Sequence, residues 1–128
     1  SLEIQEISSP AIHLEWSDWY EWTALLEDAR SGGIRIPNKK LGVYEARLKN
    51  QEERLTIGKA SDLRFRIRQA LIKGKGPHSS GERIRNNEDI NFIETRWAET
   101  DRPSAAEEEL HRQYLAKFGK LPKYTERT

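Results

Sequence analysis

Apolar residues recur along the chain in two periods, and the switches between them mark out its elements. From Ser17 to Gly33 the spacing is helical. Trp19, Trp22, Leu25, Leu26 and Ala29 form one stripe, Ser17 or Asp18 can cap it, and Gly32 and Gly33 stop it. The aromatic residues of this stripe read as core rather than as a base-stacking platform. The preceding "IQEISSPAIHLEW" reads as a short extended lead. "LGVYEARLK" and "RLTIG" read as strands, and the polar "NQEE" between them makes a hairpin. "SDLRFRIRQALIKG" returns to helical spacing, capped by Ser61 or Asp62 and ended by Gly74. "GKGPHSSG" reads as a flexible loop and "INFIETRWAE" as a third strand. "PSAAEEELHRQYLAKFG" is a last helix with Pro103 at its start and Gly119 at its end, before an irregular tail. The predicted class is α+β: a small three-stranded antiparallel sheet flanked by helices, with an extra N-terminal helix.

Composition narrows the setting. A chain of 128 residues is expected to form one domain. It holds no run of about 18 apolar residues, so no membrane partner is expected. It has no cysteine, which excludes a disulfide framework and thiolate metal sites. Without a basic, apolar leader at its start, a cytoplasmic (intracellular) location is the expectation.

Charge is unevenly distributed beneath a net of +1. Residues 1–28 hold seven acids and no Lys or Arg. Residues 29–85 hold 15 basic and 5 acidic residues, and residues 86–128 hold 7 and 9. A basic middle attracts phosphate backbones, unless the acidic segment balances it in space.

Two residues stand out against their elements. Leu63, Ile67, Ala70 and Leu71 define the buried face of the arginine-rich helix. At about 100° per residue Arg66 lies within about 60° of Leu63, whereas Arg64 and Arg68 turn about 100° and 140° away on the other side. Arg66 is thus expected to border the core, where it needs an internal carboxylate or an external phosphate. Arg64 and Arg68 are expected to face solvent or a ligand. On the last helix, Glu107 shares a face with Leu110, Tyr114 and Phe118. It is either the acid of a capping box, Ser104-x-x-Glu107, or a carboxylate reserved for a metal or substrate. His111, four residues on, could share such a metal.

These residues resemble the motifs of the GIY-YIG nuclease superfamily. "GVY" at Gly42–Tyr44 and "TIG" at Thr56–Gly58 stand as its paired hairpin motifs, and Arg66 falls eight residues after Gly58. Glu107 with Leu110 resembles its helical "ExxL", and "PKYT" its closing "PxYN". The chain departs from the pattern at Thr56, where the family has tyrosine, and at Thr125, where it has asparagine. The resemblance implies one domain over 1–128, with an N-terminal helical extension (1–41) and a nuclease core (42–125). It implies a DNA endonuclease using Mg²⁺ (or Mn²⁺) and leaving 5′-phosphate and 3′-hydroxyl ends.

By position, Tyr44 would orient or deprotonate the attacking water. Arg66 would stabilise the phosphorane charge, and Glu107 would hold the metal. Gly42 and Gly58 would admit close backbone approach. His78 would act as a general base or remain a plain loop residue. The hydroxyl of Thr56 can orient a water but cannot act as a phenolate. Lys59, Arg64, Arg68, Lys73 and Lys75 would contact the DNA backbone. Two alternatives carry different expectations. One is a catalytically weakened nucleic-acid-binding domain. The other is a protein-interaction module docking through the acidic, Trp-rich N-terminal helix. The sequence is compatible with a monomer or a homodimer.

Overall fold

The computed structural model describes residues 12–73 and 80–125. Lys75, His78 and the Gly74 helix stop lie outside them. The class is α+β, with a four-stranded antiparallel sheet in place of the expected three strands. Strands β2 (Gly42–Leu48), β3 (Thr56–Ala60) and β4 (Ile93–Glu99) are the anticipated ones. The addition is β1 (Tyr20–Glu21), which pairs with Thr95 and Glu94 and makes the order β1-β4-β2-β3.

This added strand shortens the first helix. The region from Ser17 was expected to be helical, but α1 spans Trp22–Arg30. Ser17 is held by β4: its amide donates to the Trp97 carbonyl at 2.8 Å, and its hydroxyl accepts from the Trp97 amide at 3.0 Å. Neither Ser17 nor Asp18 therefore caps the helix, whose N-cap is Glu21. Trp22 and Leu25 keep the expected stripe buried. Trp19 leaves it, and its ring lies beneath the Arg47 guanidinium.

The strand period of two divides the residues of β2 between two faces. Tyr44 and Ala46 join Trp22, Leu25, Leu63, Ile67 and Ile84 in the larger core cluster. Val43 joins Ala98 and Ala106 in a smaller one, covered by Ile12, Leu14, Trp16 and Leu110. Helix α4 (Pro103–Phe118) thus lies on the opposite face from α1 and from α2, the helix over residues 63–72.

Helix α2 begins as an α-helix over Leu63–Phe65 and widens to a π-helix over Arg66–Ile72. Its cap is Asp62, whose carboxylate accepts from the Phe65 amide at 3.2 Å. The wider turn of i→i+5 bonding moves side chains off the angles of a 3.6-residue wheel. Arg66, the first residue of the wider stretch, is exposed, while Arg64 and Arg68 are half-buried. A short helix unforeseen in the sequence, α3 (Ser80–Asn87), buries Ile84. Helix α4 starts with Pro103 in its first turn and ends at Gly119, at φ 73°.

The tail is irregular but docked. The Tyr124 amide donates to the Leu55 carbonyl at 2.8 Å, and the Ile57 amide donates to Thr125 Oγ1 at 3.1 Å. These bonds blunt the outer edge of β3, which would otherwise invite strand pairing. The Tyr124 hydroxyl donates to Glu88 at 2.6 Å, and Lys123 lies 3.1 Å from the same oxygen. The phenol bond, then Lys123, holds the Glu88 carboxyl below its ordinary value, against the opposing effect of burial. Among the described residues no helix is long and apolar enough to cross a membrane.

A carboxyl whose folded pKa is depressed adds stability above its ordinary pKa and loses it as pH falls through the folded value. Glu88→Gln should therefore melt roughly 3–6 °C below the parent at neutral pH, a loss of about 1 kcal/mol. The gap should close as pH drops below about 4.3. Thermal melts of both proteins across that range check this, and a gap independent of pH would exclude the charge as its source.

Candidate functional site

The sheet brings the two hairpin motifs together through one contact. Tyr44 on β2 is directly opposite Gly58 on β3. Its ring lies so close over the glycine that a Cβ there would stand 2.6 Å from both Tyr44 Cζ and the phenol oxygen. Only a residue without a side chain lets the phenol cross β3. The ring is 5% exposed. Gly42 serves a different purpose from the expected one. A Cβ there would meet the Ala98 carbonyl oxygen at 2.3 Å and Leu63 Cδ1 at 2.7 Å, so the chain itself fills the space. Thr56 lies on the Tyr44 side of β3 and is 2% exposed.

The arginines of α2 take roles opposite to those expected from a regular wheel. Arg64 Nε donates to the Ile36 carbonyl at 2.7 Å. Arg68 donates to the Gly33 carbonyl and lies 3.5 Å from Asp28. Both guanidiniums tie α2 to the segment after α1. Arg66, expected to border the core, is exposed and makes no side-chain hydrogen bond or ion pair among the described residues. It is the arginine left available to an external anion. Among the described residues Lys73 is likewise without a side-chain partner, and the exposed Lys59 donates only to Ser104 Oγ, at 3.2 Å.

Glu107 is half-buried on α4, and its carboxylate has no hydrogen-bond or ion-pair partner among the described residues. The capping-box alternative is excluded. The N-cap is Arg102, Pro103 follows it, and Ser104 sits inside the helix, where it accepts from Lys59. Glu108 and Glu109 differ from Glu107. Glu108 is exposed, and Glu109 pairs with Arg112. The ring of His111 is engaged too, because its Nε2 bonds the Ile57 carbonyl at 3.1 Å.

Among the described residues no group of three or more His, Asp or Glu could enclose a metal. A single unpaired carboxylate nevertheless suits Mg²⁺, which keeps most of its waters and binds through one or two carboxylates plus substrate phosphates.

The tryptophans of the N-terminal segment are not presented for docking. Trp22 is buried. Trp16 lies 4.2 Å from the Arg96 guanidinium, and Trp19 lies 4.0 Å from that of Arg47. An apolar-floored cleft of about 700 Å³ lies beyond the hairpin turn, lined by Leu48, Leu55, Phe92, Tyr114 and Leu121. Lys123 of the PKYT segment lines it, and none of Tyr44, Arg66 and Glu107 does.

His111 and Thr125 grip β3 from outside, whereas the sequence offered His111 as a metal ligand shared with Glu107 and Thr125 as a departure from the motif. Their acceptor and donor are backbone groups of Ile57, which no side-chain pattern reveals. Replacing Gly58 with Ala should displace the Tyr44 ring and cost about 1–3 kcal/mol, as overpacking does. In a Tyr44→Ala background the same change should cost far less. A double-mutant cycle of denaturant midpoints measures that coupling, and additive losses would break the assigned contact. Compared with protein-family models, with curated proteins and with solved structures, the chain finds no match.

Proposed function

We propose that this chain is a metal-dependent DNA endonuclease of the GIY-YIG type, hydrolysing phosphodiester bonds to 5′-phosphate and 3′-hydroxyl ends. The observation that carries the reading is the Tyr44 phenol lying across Gly58, a contact between the two resembling motifs that depends on the glycine. The order of elements supports it: hairpin, arginine helix, short helix, strand, glutamate helix. So do the unpaired side chains of Arg66 and Glu107, because a charged group without a partner at a half-buried or exposed site is free to meet a ligand.

In this reading Tyr44 orients the attacking water or, as the phenolate, takes its proton. Arg66 offers up to five N–H donors to the charge that builds on phosphorus-bound oxygens. Mg²⁺ or Mn²⁺ held by Glu107 would neutralise phosphate charge and stabilise the leaving oxygen. Thr56 contributes no proton transfer. The nuclease unit is the single domain proposed above, with α1 and β1 as its extension.

A second reading, binding without cleavage, draws on one observation: Thr56 is both buried and without a phenol. Nicking of supercoiled plasmid with and without Mg²⁺ or Mn²⁺ separates the two. Under the nuclease reading, Tyr44→Phe should slow nicking by about 10²-fold or more. Glu107→Gln should abolish it while DNA binding persists. Metal-dependent nicking by Glu107→Gln at the parent rate would remove that residue from the site.

The internal bonds of Arg64 and Arg68 also set the salt dependence. With phosphate contacts from Arg66, Lys73 and Lys59 alone, log K should fall with log salt at a slope of about −2 to −3. Arg66→Ala should flatten that slope by about one unit. Arg64→Ala and Arg68→Ala should lower the melting temperature and leave the slope alone. Fluorescence anisotropy with labelled duplex DNA across a salt series measures all three. A slope unmoved by Arg66→Ala would remove it from the interface.

A further inference from the structure

We propose that the loop over residues 33–40, with Phe65 and Arg66 of α2 beside it, docks DNA that exposes an unstacked base. Phe65 is the platform for the base, and Lys39, Lys40 and Arg66 take the flanking phosphates. The inference rests on the DNA-binding part of the nuclease reading and adds a substrate class to it. Phe65 is 65% exposed and directly precedes Arg66, which is exposed and without a side-chain partner among the described residues. A large ring left in water beside a cation meets both needs of an unpaired strand, stacking and charge. Lys39 and Lys40 are exposed as well, and neither ammonium has a hydrogen-bond or ion-pair partner among the described residues. One carboxylate joins these groups. Asp62 Oδ1 accepts from the Lys39 amide at 3.0 Å and from the Phe65 amide at 3.2 Å. The loop and the residue bearing the ring therefore meet at a single oxygen.

The loop is tied along its length to α2. The Leu63 amide donates to the Lys40 carbonyl at 2.9 Å, and the Arg64 amide donates to the Pro37 carbonyl at 3.1 Å. The Arg64 and Arg68 guanidiniums hold the Ile36 and Gly33 carbonyls, and the Ile36 side chain is buried in the core. A loop ordered in advance loses little freedom on binding. Lys39 itself sits at φ 57°, a left-handed conformation that favours Gly or Asn. A lysine held where the backbone suits another residue points to its ammonium as the reason.

The test uses the full chain in EDTA and a pair of fluorescein-labelled DNA hairpins, one fully paired and one with unpaired thymines bulged from its stem. Anisotropy across a salt series gives affinity and slope, with melting temperature and sedimentation measured alongside. Lys39 and Lys40 add to the contacts of Arg66, Lys73 and Lys59, so the parent's slope should steepen to about −4 to −5. The parent should bind the bulged hairpin about 10-fold more tightly than the paired one. Phe65→Ala should abolish that preference and leave slope and melting temperature alone. Lys39→Asn should flatten the slope by about one unit on both hairpins, keep the preference and melt no lower than the parent.

A preference retained by Phe65→Ala would overturn the proposal, as would a slope unmoved by Lys39→Asn. Equal loss of affinity for both hairpins in Phe65→Ala, with a lower melting temperature, would mark a structural ring and overturn it too. A parent dimer that Phe65→Ala dissociates would assign this face to a second copy of the chain and overturn it likewise. A parent that nicks plasmid with metal yet binds both hairpins alike refutes this inference and leaves the nuclease reading standing. A parent that prefers the bulge through Phe65 and never nicks supports this inference and refutes cleavage. A parent that binds neither hairpin refutes both.

Discussion

The fold is organised around one buried carboxylate. Glu45 sits in β2, an inner strand, and is 3% exposed. Its Oε1 accepts from Arg96 Nε on β4 at 2.7 Å, and Arg54, just before β3, comes within 2.9 Å of the same oxygen. An acid so placed is tolerable only if both cations arrive, so strand order and register are set with it. Arg47, one pleat along, pairs with Glu94 at 3.2 Å. The three guanidiniums then stack around Trp19, with Arg96 also over Trp16. Burial, with Arg54 and Arg47 nearby, pushes the Arg96 guanidinium below its ordinary value, and Glu45 opposes that shift. The N-terminal segment is thus part of the sheet's electrostatics. Trp16 and Trp19 lie against those guanidiniums, and Glu21 pairs with Lys49 at 3.0 Å.

This network changes what the charge distribution means. In the linear chain the middle segment reads as one basic patch. In the fold, Arg47, Arg54, Arg64 and Arg68 face carboxylates or backbone carbonyls, and Lys49 pairs with Glu21. Arginine suits such positions because its planar fork bonds and stacks at once. Electrostatic attraction for a polyanion then falls to the cations without a partner among the described residues, Arg66 among them.

The long periodic elements were legible in the sequence, and the short or irregular ones were not. The hairpin, β4 and α4 each repeat their pattern over enough residues to be read. A two-residue strand has no period, and α3 buries little beyond Ile84. The face of α2 was misread for a specific reason. The expected face follows a 3.6-residue wheel, whereas the helix winds more widely from Arg66 onward, and Arg64, ahead of that stretch, is drawn in by the Ile36 carbonyl. In the candidate site, Tyr44, Gly58, Arg66 and Glu107 carried their signal in side-chain identity and spacing. The partners of Arg64, Arg68, His111 and Thr125 are backbone groups, and backbone groups leave no trace in composition.

The geometry around β3 also accounts for threonine where the resembling family has tyrosine. Thr56 pairs with Ala46, and both are buried on the face that packs against the helices. A phenol at position 56 would have to be accommodated beside Ala46, in a core where added volume costs about 1–3 kcal/mol. Two registers away the opposite solution holds. Gly58 has no side chain, and Tyr44 occupies the space over it. The strand pair thus places one small residue opposite another at its start and one large residue opposite none at its centre. The outer grip of His111 and Thr125 on Ile57 keeps the intervening backbone from shifting that register, because a slip of one residue would carry Gly58 to the other face of the sheet and close the space beneath the ring.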